Sequence, residues 1–385
     1  MKRDMIRMLF VLVFALATIV APRALAWSSK EHAQFARMAA ERIVADPTTP
    51  PALKAWLSQA TPGMLDEAGE KDYFLHTRVY PAKLHFQGIT EWATVPDEHA
   101  LHDPGNWRVE PFGVHEKQLH FIDLELLLPP AEKKGYRPDL SGKPRLESIP
   151  RDMHDPRFIQ AGMLPFRVQY CYDKLVESIR AGRLLQTTQK LEREDDSAAR
   201  WAGYLAHYLA DNTQPQHATL DYKSAYYFPR NHRPPNVHAE VEYRMCDDEK
   251  QDFPQLREEF WPLFVGSLKT VKDPSDTGDL FTATLEISLY SYDALPMIGQ
   301  AAAGAFVPPP NGGSGGQIDT EKFFRTRGTF RGQEMSVMQM KADQTALAVL
   351  RIEKIWRRAW EEANRSAATS ATAPAPAQSS IIGQR

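Results

Sequence analysis

Between Trp201 and His217 the chain reads Trp-Ala-Gly-Tyr-Leu-Ala-His-Tyr-Leu-Ala-Asp-Asn-Thr-Gln-Pro-Gln-His. His207 and Asp211 stand four apart, so on a helix they share one face about a turn from each other and can meet a single cation. Pro215 ends or bends that helix and lets His217 swing to a different position, so one segment can serve two neighbouring metal sites, with a carboxylate bridging them. His238-Ala-Glu-Val-Glu242 repeats the i, i+4 geometry, and histidine paired with carboxylate suits zinc. Upstream, Gln118-Leu-His120-Phe-Ile-Asp123 sets another histidine in an apolar surrounding. A lone histidine on such a helix more often hydrogen-bonds a carbonyl inside a core of Trp201, Tyr204, Leu205, Tyr208 and Leu209. The repetition of the pairs along the chain is what favours a metal.

A further histidine comes early, in Trp27-Ser-Ser-Lys-Glu-His32. Residues 1–26 have the make-up of a signal peptide: basic Lys2, Arg3 and Arg7, an apolar run from Met8 to Val20, and an Ala24-Leu25-Ala26 ending. The run is shorter than the roughly 20 residues that span a bilayer. Cleavage would make Trp27 the N-terminus, and its free amino nitrogen and carbonyl oxygen can chelate one metal ion. The expected location is therefore exported, periplasmic or secreted.

The elements that must position these residues read as helices. Periodicity of 3.6 recurs over 31–44, 158–179, 197–211, 237–245, 282–299 and 334–363, whereas alternating strand patterns are scarce. Asp195-Asp196-Ser197 is a candidate N-cap, and Ala181-Gly182 and Pro215 are stops. The expected class is all-α, in one domain with long loops over 127–157, 229–235 and 307–316. The Ala, Ser, Pro and Thr-rich stretch 366–385 reads as a disordered tail. The chain carries a net charge of −3, and removing Lys2, Arg3, Asp4, Arg7 and Arg23 takes it to −6, which argues against holding polyanions by bulk charge. Cys171 and Cys246, in an exported chain, form one disulfide or remain two buried thiols; spacing leaves both open.

His32, His120, His207, Asp211, His217, His238 and the carboxylate at 242, behind Trp27, resemble the pattern of the trinuclear-zinc phospholipase C and single-strand-specific nuclease superfamily. The likeness rests on Trp-x4-His, His-Phe-Ile-Asp, His-x3-Asp-x2-Gln-Pro-x-His and His-x3-Glu in that order, from Trp27 to about Met245. It implies a multi-helix bundle, a zinc-dependent phosphodiesterase domain over 27–365, and three zinc ions. One ion would take His120, His207, Asp211 and an upstream aspartate. The second would take the Trp27 amino nitrogen and carbonyl oxygen with His32, and share Asp211. The third would take His217, His238 and Glu242. For the upstream aspartate, Val95-Pro96-Asp97-Glu98 looks like the Pro-Asp element of bacterial relatives and favours Asp97; Asp103 is the alternative, by the spacing of the fungal nucleases.

The pattern also departs from its relatives. The fungal nucleases have an arginine three residues after that aspartate, where Ala100 stands here, so phosphate contact falls to another residue such as Arg108 or Arg233. Glu242 follows the phospholipases, while the step from Trp27 to His32 follows the nucleases. Asp123 either contacts a base, by analogy, or is structural. His76, His85, His99, His102, His115, His154 and His232 receive no role, although His85 in Lys83-Leu84-His85-Phe86 imitates the His120 phrase. The aromatic run from Tyr222 to Phe228 lines a pocket or joins the core.

The activity implied by the resemblance is phosphodiester hydrolysis by a metal-bound hydroxide, with Asp97 and Asp211 in the catalytic centre and single-stranded nucleic acid or nucleotides as substrate. Phospholipase C cleavage of phospholipid headgroups is the rival with the same chemistry. A zinc-binding protein without turnover is the alternative from another class, and no stable protein partner is evident.

Overall fold

Helix α1 (Ser29–Ala45) starts from a reciprocal cap: the Ser28 hydroxyl accepts from the Glu31 N–H, and the Glu31 carboxylate accepts from the Ser28 N–H. That cap satisfies donors the first turn leaves open, and fixes the turn that carries His32. A computed structural model of the chain describes residues 27–61, 88–128, 143–186, 193, 195–229, 233–247, 251–275, 278–309 and 315–371. The expected signal peptide, His76, His85 and His232 lie outside them.

After α1 come α2 (Pro51–Ala60), α3 (Ile89–Trp92), α4 (Val95–His102), α5 (Arg157–Ala161), α6 (Leu164–Arg180) and α7 (Ala198–Asp211). A helical run then passes from α8 (Val237–Ala239) through a π-helical turn (Glu240–Arg244) to α9 (Met245–Asp247). The chain continues with α10 (Pro254–Thr270), α11 (Leu280–Tyr292), α12 (Leu295–Gly304), α13 (Thr320–Arg325) and α14 (Val337–Ala371). Strands in the described residues form two antiparallel hairpins: β1 (Phe306–Val307) with β2 (Gln317–Ile318), and β3 (Arg327–Phe330) with β4 (Gln333–Ser336). The chain is mainly helical, and no described helix is long and apolar enough to cross a membrane.

Helix α14 packs against α10, α1, α6 and α7. Trp356 lies fully buried on it and donates its indole N–H to the Ala202 carbonyl of α7 at 3.2 Å, while Trp360 stacks on Trp56 of α2 with ring centroids 5.6 Å apart. Each such apolar burial stabilises the fold by roughly 2–3 kcal/mol before entropy is set against it. Helix α7 meets α3 at Gly203, where an added Cβ would sit 2.7 Å from the Ile89 carbonyl oxygen.

Several expected boundaries shift. The helix expected over 158–179 divides at Gly162, whose φ of +91° disfavours other residues and where an added Cβ would lie 2.3 Å from the Phe121 carbonyl oxygen. The helix expected over 282–299 divides at Asp293-Ala294, because Pro296 lacks a backbone N–H and belongs in the first turn of a new helix. Glu334 joins β4 rather than the last helix, and α14 runs on to Ala371, into the stretch read as a disordered tail; 372–385 lie outside the described residues. Ser197 caps α7 as expected, accepting from the Arg200 N–H at 3.2 Å.

Of the two states left open for the cysteines, the structure has the second. Cys171 on α6 and Cys246 on α9 are both buried free thiols. They sit in different surroundings, Cys171 by Arg167 and Glu116, Cys246 by Glu31 and Lys341, and burial pushes each thiol up to about 12.

Candidate metal centre

The last turn of α7 presents His207 and Asp211 side by side. This is the end of a helix where unsatisfied carbonyls carry partial negative charge and favour a cation. His207 Nδ1 donates to the Ala93 carbonyl at 2.7 Å, which leaves Nε2 as the acceptor that faces the cluster. From there Nε2 lies 3.3 Å from Asp211 Oδ2, 3.6 Å from Asp97 Oδ1 and 3.1 Å from His120 Nδ1. Asp97 comes from α4, whose Pro96 favours the helix start, and His120 follows the 3-10 turn Glu116–Leu119. His120 Nδ1 is 3.0 Å from Asp211 Oδ2 and 3.7 Å from Asp97 Oδ1.

The other Asp211 oxygen faces α1. His32 Nε2 lies 3.3 Å from Asp211 Oδ1, and the His32 ring stacks on His207 with centroids 3.8 Å apart. Two ligand groups, Asp97–His120–His207 and His32–His207–Asp211, therefore share His207, and Asp211 of the second also turns its Oδ2 to His120 of the first. Trp27 is fully buried next to them and donates its indole N–H to the Ala210 carbonyl at 2.9 Å.

A third group joins His217, His238 and Glu242. His217 stands in the 3-10 turn Pro215–Ala218, and its Nδ1 donates to the His120 carbonyl at 2.7 Å, so its Nε2 faces Glu242 Oε1 at 3.4 Å. That hydrogen bond ties the third group to the first through one residue's backbone. His238 Nε2 contacts the same Glu242 oxygen, and Gln214 donates to it at 3.0 Å. The π-helical turn carries Glu242, and such turns recur at functional sites.

The electrostatics fit a cation. Both Asp97 oxygens, Asp211 Oδ1, His120 Nε2 and Glu242 Oε2 are buried without a hydrogen-bond partner, although leaving such groups unmade costs roughly 1–3 kcal/mol each. Burial drives the Asp97 carboxyl well above its ordinary range, against the pull of His207. Burial likewise pushes Glu242 to about 8 and His32 down to about 3. Asp211 behaves oppositely: burial would raise it, but the neighbouring imidazoles, His207 first and then His120 and His32, outweigh that and hold it well below the carboxylate range. Acidic oxygens and imidazole lone pairs pointing inward are the donors that zinc takes.

The structure thus gathers His32, Asp97, His120, His207, Asp211, His217, His238 and Glu242, with Trp27 adjacent. Asp103 is elsewhere, paired with Arg193. Asp123 belongs to none of the three groups; burial first, and Glu125 second, push its carboxyl up to about 8. Lys341 gave no signal in the sequence, yet it is fully buried on α14, 2.7 Å from Glu31 Oε1, and donates to the carbonyls of Val241 and Glu242 at 2.7 Å each. Its ammonium also lies 4.8 Å from the Trp27 ring centroid. Gln214 stands within the His-x3-Asp-x2-Gln-Pro-x-His motif, and its amide is the Glu242 partner. No protein-family model matches the chain, and no curated protein is significantly similar to it.

Proposed function

We propose that the chain is an exported zinc-dependent phosphodiester hydrolase with the bundle of the phospholipase C and single-strand nuclease superfamily, acting on single-stranded nucleic acid or nucleotides. The observation that carries this reading is the sharing of Asp211: one oxygen faces His32 and the other faces His120 and His207, with Asp97 opposite. Two cations held that way and a third at His217, His238 and Glu242 make a multi-metal centre suited to a phosphate diester.

Bound zinc would supply a water acidic enough to attack phosphorus at neutral pH, and positive charge against the charge that develops there. The chain's own residues do the rest. Asp211 fixes the spacing of the first two groups. Asp97 has both oxygens free of protein hydrogen bonds, and so would be open to hold the ion it shares with His120 and His207. Gln214 and His238 orient Glu242, and the backbone bond from His217 to His120 keeps the third group in register with the first. Tyr222, 40 % exposed and edge-on to His238 at 5.6 Å between centroids, offers a face on which an unstacked base can rest.

The test is one parallel assay. Zinc-replete protein beginning at Trp27 is given single-stranded DNA, RNA, a 3′-nucleotide and phosphatidylcholine, each with a chelated control. Chelator-sensitive cleavage of the nucleic acids is the expected result. Cleavage of phosphatidylcholine alone would transfer the reading to the phospholipases, and no cleavage with three ions bound would leave a zinc-binding protein without turnover.

A further inference from the structure

Tyr204 and Trp107 help to line a cavity of about 550 Å³ whose wall contains none of the candidate metal ligands. It falls within the roughly 300–1,000 Å³ typical of small-ligand sites. Five cationic side chains line it, Arg108, Arg167, Lys174, Arg193 and Arg200, against the acids Glu110, Glu116 and Asp196, in a chain whose net charge is −3. The cations alternate with rings. Arg200 lies 4.5 Å from the Trp201 centroid and 5.0 Å from Tyr204, and Arg193 lies 4.8 Å from Trp107.

Two observations point to a ligand rather than to packing. Arg167 is only 3 % exposed, and its Nε has no hydrogen-bond partner; Glu116 takes one other donor of its guanidinium at 3.3 Å. Arg200 Nε is likewise buried and without a partner. At the other extreme Trp107 remains 44 % exposed at the rim, a large apolar ring that the fold does not cover. Forked donors with unused N–H groups select oxyanions, and a ring beside them selects an aromatic body.

We propose that this cavity binds a nucleoside monophosphate, with its phosphate on the unpartnered Nε edge of Arg200 and on Arg193, which also pairs with Asp103, and its base on Trp107. The choice of a nucleotide over other aromatic phosphates rests on the function proposed above; the cations, the rings and the volume do not. The cavity is distinct from the metal centre but joined to it: Glu116 accepts from Arg167 and from the Tyr208 hydroxyl, and the Tyr208 ring lies edge-on to His120 at 5.3 Å.

The experiment is calorimetric titration of the zinc-loaded full chain with AMP, adenosine and orthophosphate, repeated on Arg193→Gln, Trp107→Ala and Glu242→Ala chains whose folding is checked by circular dichroism. AMP should bind at least tenfold more tightly than adenosine or orthophosphate. Arg193→Gln and Trp107→Ala should each weaken it tenfold or more, and Glu242→Ala should leave a binding step intact. The proposal is overturned if AMP binds the two cavity variants as it binds the parent, if orthophosphate alone matches AMP, or if Glu242→Ala removes all binding. A chain that binds AMP as expected but cleaves no phosphodiester would sink the proposed function and leave the cavity standing.

Discussion

Asp211 gives its two oxygens to different neighbours, so one substitution there should be felt twice. Asp211→Asn is expected to lower metal content by two of three ions, read by metal analysis, and activity by more than about 100-fold, beyond what losing a group behind a ligand costs. Unchanged metal content would remove the bridge from the argument. Asp97→Ala should behave like a ligand loss, whereas Asp103→Ala, which only frees Arg193, should keep both metal and activity. Asp123 carries a pH prediction. Its folded value of about 8 stands above its ordinary 3.8, so its contribution to stability is complete below about pH 4 and is lost as pH rises to about 8. Asp123→Asn should therefore show a Tm advantage over the parent that grows from pH 4 to pH 8; an offset constant with pH would refute it. At this scale the sequence was legible wherever ligands come in pairs four apart, because one helix turn decides their meeting. It was mute about Lys341, whose partners lie about 100 and 310 residues away and share no local pattern with it.

At the scale of elements, the first ligand group depends on how closely α7 approaches α3. Gly203 permits that approach, and the Ala93 carbonyl just beyond α3 in turn fixes the tautomer of His207. Gly203→Ala should force the two apart, cost roughly 1–3 kcal/mol by overpacking, and weaken metal binding at Asp97 and His207 more than at His217 and His238. Denaturant unfolding and site-resolved metal titration would check this, and equal weakening of all three sites would contradict it. The helices expected from periodicity have either a marked apolar face, as α1, α6, α7 and α14 do, or apolar residues all round, as α11 does. Helix α10 was missed because Pro262 sits inside it and α2 because it opens on Pro51, both of which read as breakers until tertiary packing overrides them. The break at Gly162 was equally hidden, since the need for glycine comes from Phe121, some forty residues earlier.

For the whole molecule, α14 is the element through which the distant parts agree. Lys341 holds Glu31 from the first turn of α1, two carbonyls of the π-helical turn, and a place under the Trp27 ring. Lys341→Met would strand a buried carboxylate, at a cost of about 3–5 kcal/mol, and should lower affinity for the ion at Glu242 as well. A variant as stable as the parent would show that the link is ornamental. Ions held as proposed would bind the folded chain only, so Tm should rise with free zinc and fall on chelation.

The Lys341 link also sets an order in time. The proposed ligands are complete by Glu242, but the cation that braces them, Lys341, is made a hundred residues later, so a growing chain has every donor in hand before it has the frame to aim them. Zinc should then enter only after the last helix has docked, and chains halted before Lys341 should be recovered with the ligands intact and the metal missing.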